Sequence, residues 1–297
     1  MAQYTLIGIG EILWDEFPGS RRLGGAPANF AFHASGLGAM GMVISSIGDD
    51  PQGREIEVLL EKSGVPSLLS RDPDHPTGRV SVKADEKGMV DYIIHEDSAW
   101  DFLDYDPSFS DAARQADAVC FGTLAQRNQT SGKAIKKFIR QTKENCLKIF
   151  DINLRQQYYS KRIISELLNL ADVVKFNHEE LDIVTRMFSL GGEEETSCLE
   201  KLISMFGLDL IILTKGNEGS RIFADRGNDS VYKPEPIQTI DSVGAGDSFT
   251  AVVALGLLMG FSLERINRTA SSVASYVCLK RGATPVIPAE LFLENTG

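Results

Sequence analysis

The chain is poor in cysteine, and none of its four, Cys120, Cys146, Cys198 and Cys278, lie close in sequence. That excludes the spacings of a thiolate-bound metal site. Their apolar neighbours point to buried free thiols, as in a reducing compartment. Basic residues are also in deficit, 30 against 41 acidic, for a net charge of −11. Such a surface repels nucleic acid and anionic membranes, so neither is expected as a partner. Net charge does not describe one pocket, however, and a local basic cluster could still meet an anion. Long apolar runs are missing: the longest, near Phe249–Phe261, is too short to span a bilayer. The N-terminus lacks the basic and apolar regions of a signal peptide, so a cytoplasmic location is expected. There is no internal repeat and no low-complexity segment. Gly8-x-Gly10 follows the first apolar run, but Leu13 stands where a dinucleotide fingerprint needs its third glycine. A dinucleotide-dependent oxidoreductase is therefore disfavoured.

What is present is the ordinary mix of a globular protein, 43% hydrophobic and 24% charged over 297 residues. That length allows one large α/β domain with ample core, read here as a single domain over residues 1–297. Short runs rich in Val, Ile and Leu predict strands at Tyr4–Ile9, Val43–Ile47, Ala118–Phe121, Lys148–Asp151, Val173–Phe176 and Leu210–Thr214. Helical patterns at Gln52–Ser63, Ser131–Gln141 and Leu199–Phe206 lie between them. This alternation predicts a doubly wound, mainly parallel sheet flanked by helices, with ligands beyond the carboxyl ends of its strands. Two segments break the rhythm. Residues 16–23 are polar and turn-rich, with Pro18 and Gly19. Gly78–Ala84 and Val90–His95 read as alternating strands joined by a hairpin turn at Asp85–Gly88. Together, residues of about 16–24 and 76–100 are expected to form a small β-sheet lid.

The chemistry concentrates in Asp241-Ser242-Val243-Gly244-Ala245-Gly246-Asp247-Ser248-Phe249, which leads into an apolar helix at Thr250–Met259. Glycines at a helix start let amide N–H groups approach an anion, and the helix dipole favours negative charge there. A carboxylate beside an anion hole repels phosphate, so Asp247 makes sense if its partner is a hydroxyl that must lose a proton. The stretch then combines a proton acceptor with a cradle for a transferring phosphoryl group. The same residues would also serve as a Gly-rich turn capped by Asp247, and the residues alone leave both readings open.

This stretch resembles the C-terminal signature of the ribokinase-like carbohydrate kinases, the phosphofructokinase-B family. Gly24-Gly25-Ala26-Pro27-Ala28-Asn29-Phe30-Ala31 resembles the family's N-terminal glycine motif, about 220 residues earlier. The similarity runs from about Tyr4 to Ile287. It implies an ATP-dependent sugar kinase with Mg²⁺, and K⁺ in many relatives, the latter held by backbone carbonyls near Asp241 and Val243. It implies that Asp247 is the catalytic base, that Gly244, Ala245 and Gly246 form the anion hole, and that Asp15, Gly25 and Asn29 hold the sugar. Asn177-His178-Glu179-Glu180 matches the Asn-x-x-Glu motif, which implies that Asn177 and Glu180 organise Mg²⁺ and its waters; an acidic helix start is the plain alternative. Thr214-Lys215-Gly216 resembles the nucleotide-contacting Thr-x-Gly, or is a strand-end turn. Asp151-Ile152-Asn153-Leu154-Arg155 resembles the Asp-x-Asn-x-Arg strand end of fructokinases. Arg155 is thereby implied near substrate or phosphoryl group, with a structural salt bridge as its other reading. Gly282-Ala283 matches the family's close, but Ser271 stands where an asparagine near the adenine is common.

Residues 10–37 and 92–102 resemble bacterial fructokinases more than ribokinases, so fructose leads. Ribokinase, 2-keto-3-deoxygluconate kinase and nucleoside kinase remain open, as does a sugar-binding regulator that lost catalysis. Phosphofructokinase would need more cationic residues. The resemblance also allows a homodimer through an exposed lid face.

Overall fold

The computed structural model describes residues 4–84, 90–192, 194–224 and 228–293. Its strands, in chain order, are β1 (Thr5–Ile9), β2 (Leu13–Phe17), β3 (Ser20–Gly24), β4 (Met40–Gly48), β5 (Ser67–Asp72), β6 (Gly78–Ala84), β7 (Val90–Ile94), β8 (Ala118–Gly122), β9 (Leu147–Asp151), β10 (Val173–Asn177), β11 (Leu210–Thr214), β12 (Ser220–Ala224) and β13 (Asp229–Tyr232). Its α-helices are α1 (Ala26–Gly36), α2 (Pro51–Lys62), α3 (Phe109–Gln115), α4 (Gln129–Gln141), α5 (Lys161–Leu168), α6 (His178–Met187), α7 (Glu195–Phe206), α8 (Ala245–Leu258), α9 (Leu263–Cys278) and α10 (Glu290–Leu293).

Nine strands form one sheet in the order β13-β12-β11-β10-β9-β8-β1-β4-β5. From β5 through β11 every pairing is parallel; β12 and β13 add antiparallel strands at one edge. Helices cover both faces, which is why the central strands are apolar throughout: all five residues of β1 and of β8 are buried. Successive side chains serve opposite faces. Leu6, Ile149 and Val173 pack with Phe249, Val252 and Ile266 of α8 and α9. Ile7, Phe150 and Val174 pack on the other side with Phe138 of α4 and Leu167 of α5. The order reverses at β1, which pairs β4 on one side and β8 on the other, and opens a crevice at the carboxyl ends there.

The doubly wound architecture matches the sequence expectation, with helix ends shifted by a few residues. The expected small sheet is present as well: within the polar segment 16–23, β2 and β3 form a hairpin across Pro18 and Gly19. These join β6 and β7 in a separate four-stranded sheet ordered β3-β2-β6-β7. The expected turn Asp85–Gly88 lies outside the described residues, and β7 stops one residue before His95. Strands β5, β12 and β13 were not anticipated. Finally, Cys120, Cys146 and Cys198 are buried free thiols as expected, but Cys278 is only half-buried. No helix among the described residues is long and apolar enough to cross a membrane.

Candidate active site

Several of the residues singled out by sequence lie at the carboxyl edge of the large sheet, where β9, β10 and β11 end in Asp151, Asn177 and Thr214. Helix α8 points its N-terminus at this edge. Gly244 caps it in the left-handed region, at φ 81°. A Cβ there would lie 2.0 Å from the carbonyl oxygen of Ala283, so only glycine fits. The first amides of a helix have no carbonyl one turn earlier. Of these, Ala245 N–H is drawn to Ser242 O at 3.3 Å, which leaves Gly246 and Asp247 as the better-placed donors.

Asp247 stands in the first turn of α8 and accepts a 2.8 Å hydrogen bond from Asn29 Nδ2 in the first turn of α1. Burial is the main cause that pushes its carboxyl up to about 6; Asp151 adds to this, while Asn29, Lys175 and Arg155 oppose it. The structure therefore brings Asn29 and Asp247 together. Gly25, at φ 107°, precedes α1, and a Cβ there would meet Glu11 O at 2.4 Å.

Lys175, which carried no sequence signal beyond its place in a strand, proves central. It is 7% exposed, and its Nζ lies 2.9 Å from both carboxylate oxygens of Asp151. A Cβ on Gly246 would approach this ammonium at 3.1 Å, so the cation flanks the start of α8. Burial disfavours its charge, but Asp151 and Glu180 more than offset that and hold its pKa above the ordinary lysine range. Beyond β9, Asn153 and Gln156 take positive φ angles of 42° and 47° on either side of Arg155. Such backbone is costly for residues other than glycine and clusters at functional sites. Arg155 itself is exposed, and its charge reaches Glu11, Asp15 and Asp247.

Asp15, which follows the first strand in sequence, is the third residue of β2, in the small sheet. Burial raises its carboxyl to about 6 against the pull of Arg155 and Arg22. Arg22 of β3 also meets Asp241 at 3.2 Å, and Asp241 accepts from Gly282 N and Val243 N. The small sheet is thus pinned to the loop that precedes α8.

Asn177 and Glu180 cap α6 reciprocally. Asn177 Oδ1 accepts from Glu180 N, and Glu180 Oε2 from Asn177 N, each at 2.8 Å. Glu180 Oε1 accepts from Leu154 N at 2.9 Å, and the residue is 5% exposed. Among the described residues no three His, Cys, Asp or Glu side chains group as metal ligands. This donor set fits a magnesium ion that arrives on phosphate oxygens and keeps its waters, rather than one caged by protein. Thr214 is half-buried and Gly216, at φ 54°, is exposed. Ser271, the departure from the family pattern, bonds Ser220 Oγ at 2.9 Å, and the same hydroxyl donates to Asn267. A cavity of about 420 Å³ lies at the other end of α1, among Ser35, Met40 and Pro285, away from this chemistry.

The architecture is that of the ribokinase-like kinases. A double-mutant fructokinase of Vibrio cholerae O395, solved with fructose, ADP and potassium, superposes with a TM-score of 0.83 at 25% identity, over 98% of this chain and 97% of that one. Residues 12–290 match the pfkB family of carbohydrate kinases, and the chain belongs to that family. A sugar kinase of Pyrococcus horikoshii is 29% identical over 88% of this chain and 82% of its own length. A nucleoside kinase of Methanothermobacter thermautotrophicus is 29% identical over 89% and 81% respectively. Other similar proteins are named fructokinase and 5-dehydro-2-deoxygluconokinase.

Proposed function

We propose that this chain transfers the terminal phosphoryl group of ATP to the primary hydroxyl of a sugar, with D-fructose the leading substrate. One observation carries the reading: Asp247 sits in the first turn of a glycine-capped helix, held by Asn29 and flanked by Lys175 and Arg155. With its pKa raised to about 6, this carboxylate is mostly ionised at neutral pH yet more basic than an ordinary aspartate.

The sugar lies between the two sheets, against Asp15, Gly25 and Asn29. Asp247 accepts the proton of the attacking hydroxyl. The freed oxygen bonds to the γ-phosphorus as the bond to the β-phosphate oxygen breaks, and ADP leaves with that electron pair. Amides at the start of α8, those of Gly246 and Asp247 foremost, and the Lys175 ammonium face the charge that spreads over the transferring group. ATP lies across the carboxyl edge near Asn177, Thr214 and Gly216. Magnesium, when bound, neutralises phosphate charge, and Asn177 and Glu180 hold its waters. The four-stranded sheet acts as a lid that excludes competing water, with Arg22 and Asp241 as its latch to the phosphoryl loop.

The similarity to fructokinases supports fructose. One observation favours a sugar acid such as 2-keto-3-deoxygluconate instead: Arg155 and Arg22 both act on Asp15, two cations at one pocket in a chain of net charge −11. A coupled ADP-release assay over fructose, ribose, glucose, 2-keto-3-deoxygluconate and adenosine separates these. Fructose should give the highest kcat/KM. A clear win for the sugar acid would move the substrate and leave the kinase reading standing; no ADP release with any of them would remove both.

A further inference from the structure

Glu11 drew no functional reading from the sequence. It follows β1 by two residues, and it is 2% exposed. Its Oε2 is buried without any hydrogen-bond partner. A buried carboxyl oxygen left unpaired is costly, and such costs are retained where a ligand completes the pairing. The groups around it are the groups of the reacting centre. Burial raises its pKa most and Asp247 of α8 adds to that, while the amide groups of Glu11 itself and of Ala26 at the start of α1 lower it, as does Arg155. The Cys120 thiol of β8 feels its charge as well. Gly25 packs against the Glu11 carbonyl, and Asn29, one turn further along α1, reaches Asp247. Glu11 and Asp247 therefore stand on two sides of the same helix start.

We propose that Glu11 is a sugar-binding residue whose neutral carboxyl donates a hydrogen bond from Oε2 to a substrate hydroxyl neighbouring the one that attacks. The inference rests on the kinase reading and names how that site distinguishes its two carboxyls. Two like charges around one buried pocket do not both ionise cheaply. Burial dominates at Glu11 and pushes its carboxyl up to about 7, above the value of about 6 at Asp247. Glu11 Oε2 receives no hydrogen bond, whereas Asp247 Oδ2 accepts one from the Asn29 amide, which favours its charge; the proton is therefore assigned to Glu11 and the charge to Asp247. A donor and an acceptor placed in this way read a diol: one hydroxyl oxygen receives a proton bond while its neighbour gives one up.

The competing role for Glu11 is purely structural, as a cap for the α1 amides in place of the side chain that Gly25 lacks. Glu11→Gln and Glu11→Ala separate the two. Sugar binding is read by calorimetry without ATP, over the sugars named above and across pH 5.5 to about 8.5, a span set around the ordinary working range of such groups. Turnover is measured alongside. Glu11→Ala should weaken sugar binding about tenfold or more while the KM for ATP stays within about twofold. Glu11→Gln keeps a neutral donor and should stay within about threefold of wild type. Wild-type affinity should fall as pH rises through about 7, and that fall should be absent from Glu11→Gln. Unchanged affinity in both variants, whatever their melting temperatures, would reduce Glu11 to a cap. A Gln variant that binds as poorly as Ala, or keeps the wild-type pH profile, would overturn the neutral donor. Should the Ala variant not fold, the Gln profile decides alone. Binding without turnover in wild type would sink the kinase reading and leave Glu11 judged on affinity; no binding of any sugar would overturn both.

Discussion

Replacing Asp247 with Asn should make the protein more stable at neutral pH and nearly inactive. Burial is the leading cause that lifts this carboxyl from 3.8 to about 6. A pKa raised by folding means that the folded state disfavours the charge which the unfolded chain carries freely. The cost is absent below about pH 4, grows between about pH 4 and 6, and is full above that. Just over two units, at about 1.4 kcal/mol each, give an upper value of about 3 kcal/mol. The side chain keeps some solvent contact, which lowers the expected gain to about 1–3 kcal/mol. Asn retains an oxygen to accept the 2.8 Å bond from Asn29, so charge is removed and the contact is not. Turnover should fall about 10²–10⁴-fold, the usual effect of losing a general base. Denaturant unfolding of both proteins at pH 7 and pH 5, with steady-state rates, measures this. The stability gain must shrink at the lower pH. A variant less stable than wild type at pH 7, or a gain indifferent to pH, refutes the burial argument, and near-normal turnover refutes the base.

The sugar kcat/KM of wild type should drop as pH falls below about 6, where Asp247 takes up its proton, and a flat profile to pH 5 would argue against it. Asp15→Ala should lower the sugar kcat/KM by about tenfold or more, with the ATP KM much less changed; a shift in the ATP KM alone would misplace the sugar pocket. Glu180→Gln turns one acceptor of two backbone N–H bonds into a donor, so it should cost about 1–3 kcal/mol of stability and raise the Mg²⁺ midpoint; an unchanged midpoint in a titration at saturating ATP would leave Glu180 as a helix cap only. Gly244→Ala drives a methyl into the Ala283 carbonyl and should abolish turnover; a normal rate would show that this loop is not the phosphoryl cradle.

The large sheet was legible because its strands are buried on both faces, and runs such as Val173–Phe176 state that without periodicity. The edge strands were not. Ser220–Ala224 mixes buried with half-buried residues and Asp229–Tyr232 mixes buried with exposed ones, and Asp229 and Arg221 pair across them as polar partners. The segment of β2 and β3 was legible as part of a β lid but not as two strands, because Arg21 and Arg22 hold Glu55 and Asp241 rather than a core. Asp247, Asn29 and Gly244 were readable from motif and helix-start chemistry together. Glu11 and Lys175 were not, since a lone charged residue within an apolar stretch shows neither its burial nor its partners. Only the third dimension places Lys175 on Asp151 and Glu11 against α1.

The central claim is transfer of phosphate from ATP to a sugar hydroxymethyl with Asp247 as base. Phosphorus NMR of wild type and Asp247→Asn incubated with fructose, ATP and Mg²⁺ tests it most directly. Wild type should form ADP and a sugar phosphomonoester on a primary carbon in equal amounts, with almost none from the variant. ADP accompanied only by inorganic phosphate, or equal product from both proteins, would contradict the account.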